Sequence, residues 1–527
     1  MIKTKSANNK SRKGLLASSL VVSGMTLLSR ILGMVRDVVI AASFGAGASA
    51  DAFFVAFKIP NFLRRLFAEG AFSQAFVPIL AEVQQSNTDL MRAIVSRVAG
   101  NLGLILILVT VAAILLAPLL VMLFAPGFIA LPAKFDLTVQ LLRLTFPYLL
   151  LISLTAFAGS LLNAHQRFAV PAFTPVLLNL SLIVAVLWLA PRLAVPIMAM
   201  AWGVLAAGFV QLAFQLPFLA RLGLLAWPQV DFNNHHIRKI MQLMLPALFG
   251  ISVSQINLLL DTVLASLLQT GSISWLYYSE RLVQLPLGVF GIAIATVLLP
   301  SLSQQYTKAS KQAFSATLDW ALRMVLLIGL PATLVLELLA EPLIIALFHY
   351  GEMTVQDVVS SAASLKAYAF GLLAFMFIKV LAPSYFSRQD MRTPVRIGIW
   401  AMLSNMILNV IFVWYLATYN WDLAHVGLAL ATALSAFVNA ALLAWGLYRL
   451  NILKFSSGWL LWWLRLLIAN AALIGLILWL QNPLQQWLEW SLWQRVWQLA
   501  QLTILGGLVY VSCLWLFGLR LYHLSDL

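Results

Sequence analysis

Apolar segments long enough to cross a membrane follow one another along the whole chain, and short polar segments separate them. A helix of about 20 apolar residues crosses the hydrocarbon core of a bilayer. The runs predict fourteen such spans, at 15–43, 50–79, 94–124, 139–162, 170–190, 195–220, 239–268, 272–302, 318–348, 361–385, 395–417, 425–448, 459–481 and 496–518. Because the runs are continuous rather than alternating, we expect an all-α polytopic membrane protein and no transmembrane barrel.

The two halves of this pattern resemble each other. Asp37 is followed ten residues later by Gly47, and Asp261 is followed ten residues later by Gly271. Further on, "NAHQRFAVP" in the first half parallels "SRQDMRTP" in the second. Each copy holds six spans, an even number, so both copies enter the membrane from the same side and form a parallel repeat. Transporters built from such repeats place their substrate between two lobes and rock the lobes to alternate access.

The repeat also predicts the organisation of the chain. Two helices follow the second lobe, and no loop is long enough for a soluble domain. The predicted parts are a basic tail (1–14), a first lobe (15–220), a linker (221–238), a second lobe (239–448), and two C-terminal helices with a tail (449–527).

Composition and charge agree with this picture. The chain is 62% hydrophobic and 10% charged, whereas soluble domains are about 25% charged. The net charge of +15 would suit a nucleic-acid-binding protein, but the basic residues lie in short loops and not on one solvated face. About nineteen Lys and Arg fall on one side and about three on the other (Lys134, Arg192 and Arg495), which predicts that both termini are cytoplasmic.

Charged residues inside the first span are the exceptions that point to a function. An ionised side chain at the centre of a span costs about 2.5–3.5 kcal/mol on insertion scales, and such residues commonly line a substrate or ion path. Arg30, Gly33, Arg36 and Asp37 share one stripe of this helix, and Gly33 is predicted to leave space between the arginines. The alternative is structural, an Arg36–Asp37 or Arg30–Asp37 ion pair between packed helices.

The second and eighth spans repeat this pattern. Asp51, Arg65 and Glu69 share one sector of the second span, Arg64 points elsewhere, and Arg281 lies on a polar stripe of the eighth. We therefore predict a cavity between the two lobes. Its expected basic lining is Arg30, Arg36, Arg65 and Arg281. Arginine keeps its charge and presents forked donors that match phosphate, so the expected cargo is anionic.

A second polar group concerns a coupling ion. Asn405 and Asn409 lie one turn apart on the eleventh span, and Thr432 lies on the twelfth. Together with Asp261 they could offer oxygen ligands to a small cation. Hydrogen bonding between helices is the commoner role of such residues.

Three segments match a known family. They are "SRILGMVRD", "FGAGASADAFFVAFKIPNFLRRLFAEGAFSQAFVPIL" and, in the second lobe, "YYSERLVQLPLGVFGIAIATVLLPSLS". The sequence resembles the MurJ (MviN) family of lipid II flippases, which belongs to the multidrug/oligosaccharidyl-lipid/polysaccharide exporter superfamily. The resemblance extends over the whole chain, including the two helices beyond the repeat.

The resemblance implies export of lipid II, the undecaprenyl-diphosphate-linked disaccharide-pentapeptide, from the inner to the outer leaflet of the bacterial cytoplasmic membrane. It implies no enzyme activity and no cofactor, and we expect a functional monomer surrounded by membrane lipids. Charged residues needed in that family correspond to Arg30, Arg36, Asp51, Arg64, Arg65, Glu69 and Arg281.

A sodium site of some family members corresponds to Asp261, Asn405 and Thr432, but Asn409 stands where a carboxylate is expected. Membrane potential or another monovalent-cation gradient therefore stays open as the energy source.

Three other functions are alternatives to this one. A flippase for another polyprenyl-linked oligosaccharide would use the same physical features. A drug/cation antiporter of the same superfamily would favour a cavity lined by carboxylates and not by four arginines. A membrane enzyme acting on polyprenyl phosphates usually needs paired carboxylates for metal or acid–base chemistry, and the sequence has no DxD or DDxxD motif.

Overall fold

The computed structural model describes residues 2–65, 76, 79–80, 88–308 and 310–519, with side chains described in these ranges except at 2–20, 88–89, 245–258 and 290–297. All regular elements in this part of the chain are helical. The chain divides into two units, Met1–Thr270 and Gly271–Leu527.

The first unit has nine α-helices in its described part. They are α1 (Ile2–Phe44), α2 (Ala48–Arg64), α3 (Thr88–Leu115), α4 (Ala117–Phe124), α5 (Pro132–Thr145), α6 (Tyr148–Ala164), α7 (Ala169–Val184), α8 (Met198–Arg221) and α9 (His235–Ser266). Helix α1 packs on α7, α2 packs on α5, and α8 packs on both α6 and α7.

Proline and glycine determine where several of these helices end. Gly45 adopts a left-handed conformation (φ 59°) just after α1, which costs glycine little. Pro132 lies in the first turn of α5, and Pro147 separates α5 from α6. Proline lacks the N–H that a helix interior requires, so it is tolerated at the start of a helix. Asn234 begins α9, where its side chain accepts a hydrogen bond from the backbone N–H of His236 at 3.0 Å.

The second unit has ten α-helices in its described part. They are α10 (Ser272–Pro286), α11 (Ile292–Thr307), α12 (Lys311–Leu338), α13 (Ala340–Phe348), α14 (Val355–Phe386), α15 (Arg392–Tyr419), α16 (Ala424–Arg449), α17 (Trp459–Leu480), α18 (Leu484–Glu489) and α19 (Leu492–Leu516). Helix α14 packs on α10, α12 and α16, and α16 also packs on α15. The last long helices, α17 and α19, pack on each other, and α17 also contacts α12.

Ten segments of the described chain are long and apolar enough to cross a membrane. They correspond to ten of the predicted spans, so the multi-pass helical architecture is confirmed. The other four predicted spans (15–43, 50–79, 239–268 and 272–302) fall wholly or partly on α1, α2, α9, α10 and α11. The second of these also includes residues outside the described part. The count of fourteen stays a prediction.

Candidate functional site

Arg36, on the polar stripe of α1, is held by two neighbours. Its Nε and Nη2 atoms donate to Oδ1 of Asp37 at 2.9 and 2.6 Å, and its Nη1 atom donates to Oδ1 of Asn179 on α7 at 2.9 Å. All three side chains are buried. The structural alternative for this stripe, an Arg36–Asp37 ion pair, is therefore present. Because Asn179 lies on α7, this network joins α1 to α7. The hydrogen bond from Arg36 to Asn179 also helps to offset the desolvation of the buried charge pair.

Gly33 does not leave the open space that we predicted. A Cβ atom built at Gly33 would lie 3.6 Å from Nδ2 of Asn179. The same Nδ2 donates to the backbone carbonyl of Ser29 at 2.9 Å. That prediction was wrong because an amide from α7 fills the space beside Gly33. Gly33 therefore lies in the packed contact between α1 and α7.

Arg30 contrasts with Arg36 on the same helix. Its side chain is partly buried, and among the described residues its guanidinium makes no hydrogen bond or ion pair. A charge that is partly removed from water is costly without a partner. Arg30 therefore has donors available for an anion in a way that Arg36 does not.

Asp51, on α2, forms a buried ion pair. Its Oδ2 atom lies 2.8 Å from Nζ of Lys134 on α5, and the two side chains are 1% and 5% exposed. The ammonium group also lies 4.1 Å from the ring centroid of Phe128. Lys134 was predicted to lie in an outer loop, and that prediction was wrong because α5 begins at Pro132 and buries it. In this structure Asp51 joins α2 to α5.

Removing the charge of Lys134 should destabilise the first unit markedly. Lys134→Met leaves the Asp51 carboxylate buried without its cation, which typically costs about 3–5 kcal/mol. We expect a clear fall in the unfolding temperature of the purified protein, measured by intrinsic fluorescence. Adding Asp51→Asn to Lys134→Met should recover most of the loss, because the remaining carboxamide carries no charge.

The matched control is Lys366→Met. Lys366 and Glu341 form a pair with the same 2.8 Å separation, but their side chains are 43% and 34% exposed. Such pairs contribute about 0–1 kcal/mol, so the unfolding temperature should change little. Equal falls for Lys134→Met and Lys366→Met would contradict a structural role for burial at the Asp51–Lys134 pair.

The end of α2 carries the next predicted residues. Nε of Arg64 donates to Oδ1 of Asn61 at 2.8 Å, one turn earlier. Arg65 follows directly and is exposed. Glu69 lies outside the described residues. The binding roles of these three residues stay predictions.

Arg281 lies on α10 in the second unit. Its Nη2 atom donates to the hydroxyl of Tyr277 at 3.1 Å, and its Nη1 atom lies 3.4 Å from Oε1 of Gln284. The guanidinium also lies 4.8 Å from the centroid of the Tyr277 ring. Gln284 in turn donates to Oε1 of Glu280 at 2.6 Å. Contacts one turn before and one turn after Arg281 therefore orient the guanidinium along its own helix.

Three of the four predicted coupling-ion residues come together in the second unit. Nδ2 of Asn409 donates to Oδ1 of Asn405 at 2.9 Å. Nδ2 of Asn405 lies 3.4 Å from the hydroxyls of both Thr432 and Ser435. Both asparagines are fully buried. The network joins α15 to α16, while Asp261 lies on α9 in the first unit.

Sequence reasoning missed three residues of these networks: Asn179, Lys134 and Ser435. Asn179 interrupts the apolar run "PVLLNLSLIV", which could have identified it, because a lone amide in a span usually hydrogen-bonds to a neighbouring helix. Lys134 gave no comparable signal, since a lysine close to a proline resembles a loop residue. Ser435 is one of several small polar residues on its helix, and only the packing shows its contact with Asn405.

Comparison with known proteins gives consistent matches over most of the chain. The family model described as "Lipid II flippase MurJ" matches residues 40–497. A relative from Vibrio cholerae serotype O1, named "Probable lipid II flippase MurJ", is 48% identical over 521 residues, which is 97% of this chain and 98% of the relative.

Solved structures agree with the sequence matches. The structure titled "Lipid II flippase MurJ, inward closed conformation" has a TM-score of 0.78 and 26% identity, and the match covers 94% of this chain and 98% of that one. An inward-facing MATE family transporter of the MOP superfamily has a TM-score of 0.63 at 14% identity, covering 83% of this chain and 99% of that one. The second match shows likeness of fold alone.

Proposed function

The chain belongs to the MurJ family of lipid II flippases, and we propose that it carries lipid II from the inner to the outer leaflet of the cytoplasmic membrane. With its apolar helices it is a multi-pass protein of the bacterial inner membrane. The family is one of transporters and not of enzymes. The diphosphate of lipid II supplies the negative charge that arginines hold well, and its polyprenyl tail can stay in the hydrocarbon while the headgroup crosses.

The observation that carries the proposed mechanism is the state of Arg30. Arg30 is partly buried on an apolar helix, and its guanidinium makes no hydrogen bond or ion pair among the described residues. The neighbouring Arg36 has its donors engaged by Asp37 and Asn179. Arg30 is therefore our first candidate ligand for the diphosphate, and Arg281 is the candidate from the second unit. Arg64, Arg65 and Glu69 complete the proposed set of substrate-binding residues. Arg36 and Asp51, also proposed from the sequence, are paired with Asp37 and Lys134 and would support the site by fixing helix positions.

Two equivalent turns support the proposed repeat. Gln166 and Gln389 occupy matching positions in "NAHQRFAVP" and "SRQDMRTP", and both adopt left-handed conformations (φ 60° and 62°). After each, a backbone N–H reaches back five residues: Arg167 donates to Leu162 at 2.8 Å, and Asp390 donates to Tyr385 at 3.1 Å. Left-handed residues other than glycine are uncommon. Two such helix ends at matching positions favour duplication of one structural unit.

Helix packing supports the same proposal. In the first unit α2 packs on α5, and α8 packs on α6 and α7; in the second, α10 and α16 pack on α14, and α16 also packs on α15. These pairings correspond under the predicted repeat. We propose fourteen spans in two six-helix lobes, 15–220 and 239–448, that alternate access around an arginine-lined cavity. In this topology both termini and the linker 221–238 are cytoplasmic, and a single chain is the functional unit.

Depletion of the protein identifies its cargo. When expression is shut off in the native cell, lipid II should accumulate in the inner leaflet, because its synthesis continues while its export stops. Extraction and mass spectrometry of polyprenyl lipids measure the total lipid II that accumulates in the cell. Accumulation of another polyprenyl-linked oligosaccharide, with lipid II unchanged, would show that the proposed cargo is wrong.

The energy source is a separate question, and a sodium titration addresses it. The proposed coupling-ion residues are Asp261, Asn405, Asn409 and Thr432. Because Asn409 supplies a neutral amide where a carboxylate would favour a cation, and its amide donates to Asn405, we expect flipping in vesicles to be unchanged when potassium replaces sodium at a fixed membrane potential.

The opposite outcome would be equally informative. A saturable sodium dependence that Asn405→Ala or Asn409→Ala removes would contradict this prediction. It would also assign the network between α15 and α16 to a bound cation and not only to hydrogen bonding between helices.

A further inference from the structure

The segment between α8 and α9 has one apolar side chain in the core and four outside it. Leu224 is buried within the cluster that also holds Phe157 and Ile240. Four later side chains are exposed, and Trp227 is 90% exposed. The exposed apolar side chains are Leu225, Trp227, Val230 and Phe232. We call residues 224–232 the strap.

Helix α3 supplies hydrogen-bond partners for backbone groups of the strap. The N–H of Gln229 donates to the carbonyl of Ser96 at 3.1 Å, and the Ser96 hydroxyl donates to the carbonyl of Trp227. Asn101 pairs with Asp231 in both directions: its Nδ2 donates to the backbone carbonyl at 3.1 Å, and its Oδ1 accepts from the backbone N–H at 3.2 Å. Four backbone groups of an extended segment are thereby hydrogen-bonded without water.

A glycine makes this contact possible. A Cβ atom at Gly100 would lie 2.3 Å from the backbone oxygen of Gln229, so no larger residue fits there without displacing the strap. A Cβ atom built at Gly103, one turn further along α3, would have no neighbouring atom within 4 Å. An ion pair of 3.3 Å between Arg97 and Asp231 adds a contact at the edge of the strap.

The place along α3 where the strap binds determines how deep the strap lies in the bilayer. The 28 residues of α3 extend over about 42 Å, which exceeds the hydrocarbon thickness of about 30 Å. The polar end of this helix, with Arg92 and Arg97, must then lie in the headgroup region. Ser96 and Asn101 bind the strap close to the boundary between headgroups and acyl chains.

The surroundings of the strap are basic. Arg92, Arg221 and Arg238 are exposed, and Lys239 is partly exposed. The carboxylate of Asp231 is already paired with Arg97. Basic side chains near an anionic leaflet are attracted to its phosphates, and tryptophan is enriched at this level of the bilayer.

We propose that the strap is a membrane-binding surface. Its four exposed apolar side chains enter the interface of a leaflet that contains anionic phospholipid, while α3 supplies the hydrogen bonds that its backbone would otherwise lack there. The assignment of this surface to the cytoplasmic leaflet rests on the topology given under the proposed function. A bilayer is the fitting partner because the strap joins the ends of two membrane helices and its basic neighbours match lipid phosphates.

Site-directed spin labelling tests this surface. Cys513 is the single cysteine, so Cys513→Ser gives a background for Trp227→Cys and Val230→Cys. The exposed polar residue Asn233 provides the matched control Asn233→Cys on the same linker. The full-length protein would be placed in vesicles of phosphatidylethanolamine and phosphatidylglycerol, and collisions with oxygen and with a water-soluble nickel chelate would be compared.

Labels at 227 and 230 should collide more with oxygen than with the nickel chelate, and the label at 233 should show the reverse order. Equal access of the nickel chelate to all three positions would overturn the proposal. Shielding of positions 227 and 230 from both reagents would also overturn it, because protein and not lipid would then cover the strap.

A glycine pair tests the role of α3. Gly100→Val should release the strap and raise nickel access to a label at 227 several-fold, whereas Gly103→Val should leave it unchanged. Asn101→Ala serves the same purpose if Gly100→Val fails to fold. An unchanged label in every folded variant would contradict anchoring by α3. None of these measurements needs lipid II, so their failure is distinguishable from failure of the proposed transport.

Discussion

Arg30→Ala is expected to abolish growth of a cell in which this protein is the only flippase. Arg30 is partly buried, and its guanidinium makes no hydrogen bond or ion pair among the described residues, so its removal should cost little in folding. Charge-assisted hydrogen bonds are worth about 1.5–3 kcal/mol each. Loss of two such bonds to a diphosphate would weaken binding by more than about 100-fold. Colony formation after depletion of the wild-type protein measures the effect.

Three control measurements separate an effect on substrate binding from an effect on folding. Arg30→Ala should reach the membrane at the wild-type level, measured by immunoblot, because alanine inserts more readily than arginine. Arg30→Lys should retain partial growth, since lysine keeps the charge but loses the forked donors. Arg192→Ala should grow normally, because Arg192 is exposed and stacks on Trp188. Normal growth with Arg30→Ala would remove Arg30 from the proposed site.

Arg281→Ala is expected to have a similarly severe effect from the second unit. Contacts with Tyr277 and Gln284 hold the guanidinium along α10, which pre-organises its donors before an anion binds. The alanine variant should insert and fold, because α10 also packs on α14 through buried residues such as Trp275, whose Nε1 donates to Asp357 at 2.8 Å. We expect no colony formation on depletion of the wild-type protein.

Tyr277→Phe is the matched control for this prediction. It removes the hydroxyl that accepts from Arg281 but keeps the ring beneath the guanidinium, so growth should be reduced and not lost. Arg281→Lys should again be intermediate. If Arg281→Ala grows as well as Tyr277→Phe, the guanidinium is not needed for transport and its contacts serve only to pack α10.

The spans could be predicted from the sequence because they depend on one strong quantity, the apolar length of each run. The left-handed turns at Gln166 and Gln389 lie within two segments that the sequence alone already paired. Both features are local. They need no knowledge of which helices touch.

The partners of the buried charges could not be predicted in the same way. Arg495, predicted to lie in an outer loop, is buried at the start of α19 and donates to the carbonyls of His349 and Leu488 at 3.0 and 2.9 Å. Its environment depends on the packing of α19 against α13. Helical phase identifies the face that a residue occupies, but it does not identify the group opposite.

Because helical phase does not identify the group opposite a residue, the sequence did not distinguish the two arginines of the polar stripe on α1. Arg30 and Arg36 differ by six residues and share a face, and sequence reasoning gave them the same role. The structure distinguishes them through Asn179, which donates to Ser29 and accepts from Arg36. A contact between residues 143 positions apart arises from the packing of α1 on α7 and has no local signature.

The most direct test of the account measures lipid II at the outer surface of cells that carry single variants. An externally added enzyme that cleaves lipid II, followed by quantification of the released product, reports outer-leaflet lipid II. After depletion of the wild-type protein, cells with Arg192→Ala should keep a normal signal, and cells with Arg30→Ala should lose it while total lipid II rises. A normal outer-leaflet signal with Arg30→Ala would contradict transport of lipid II through an arginine-lined path.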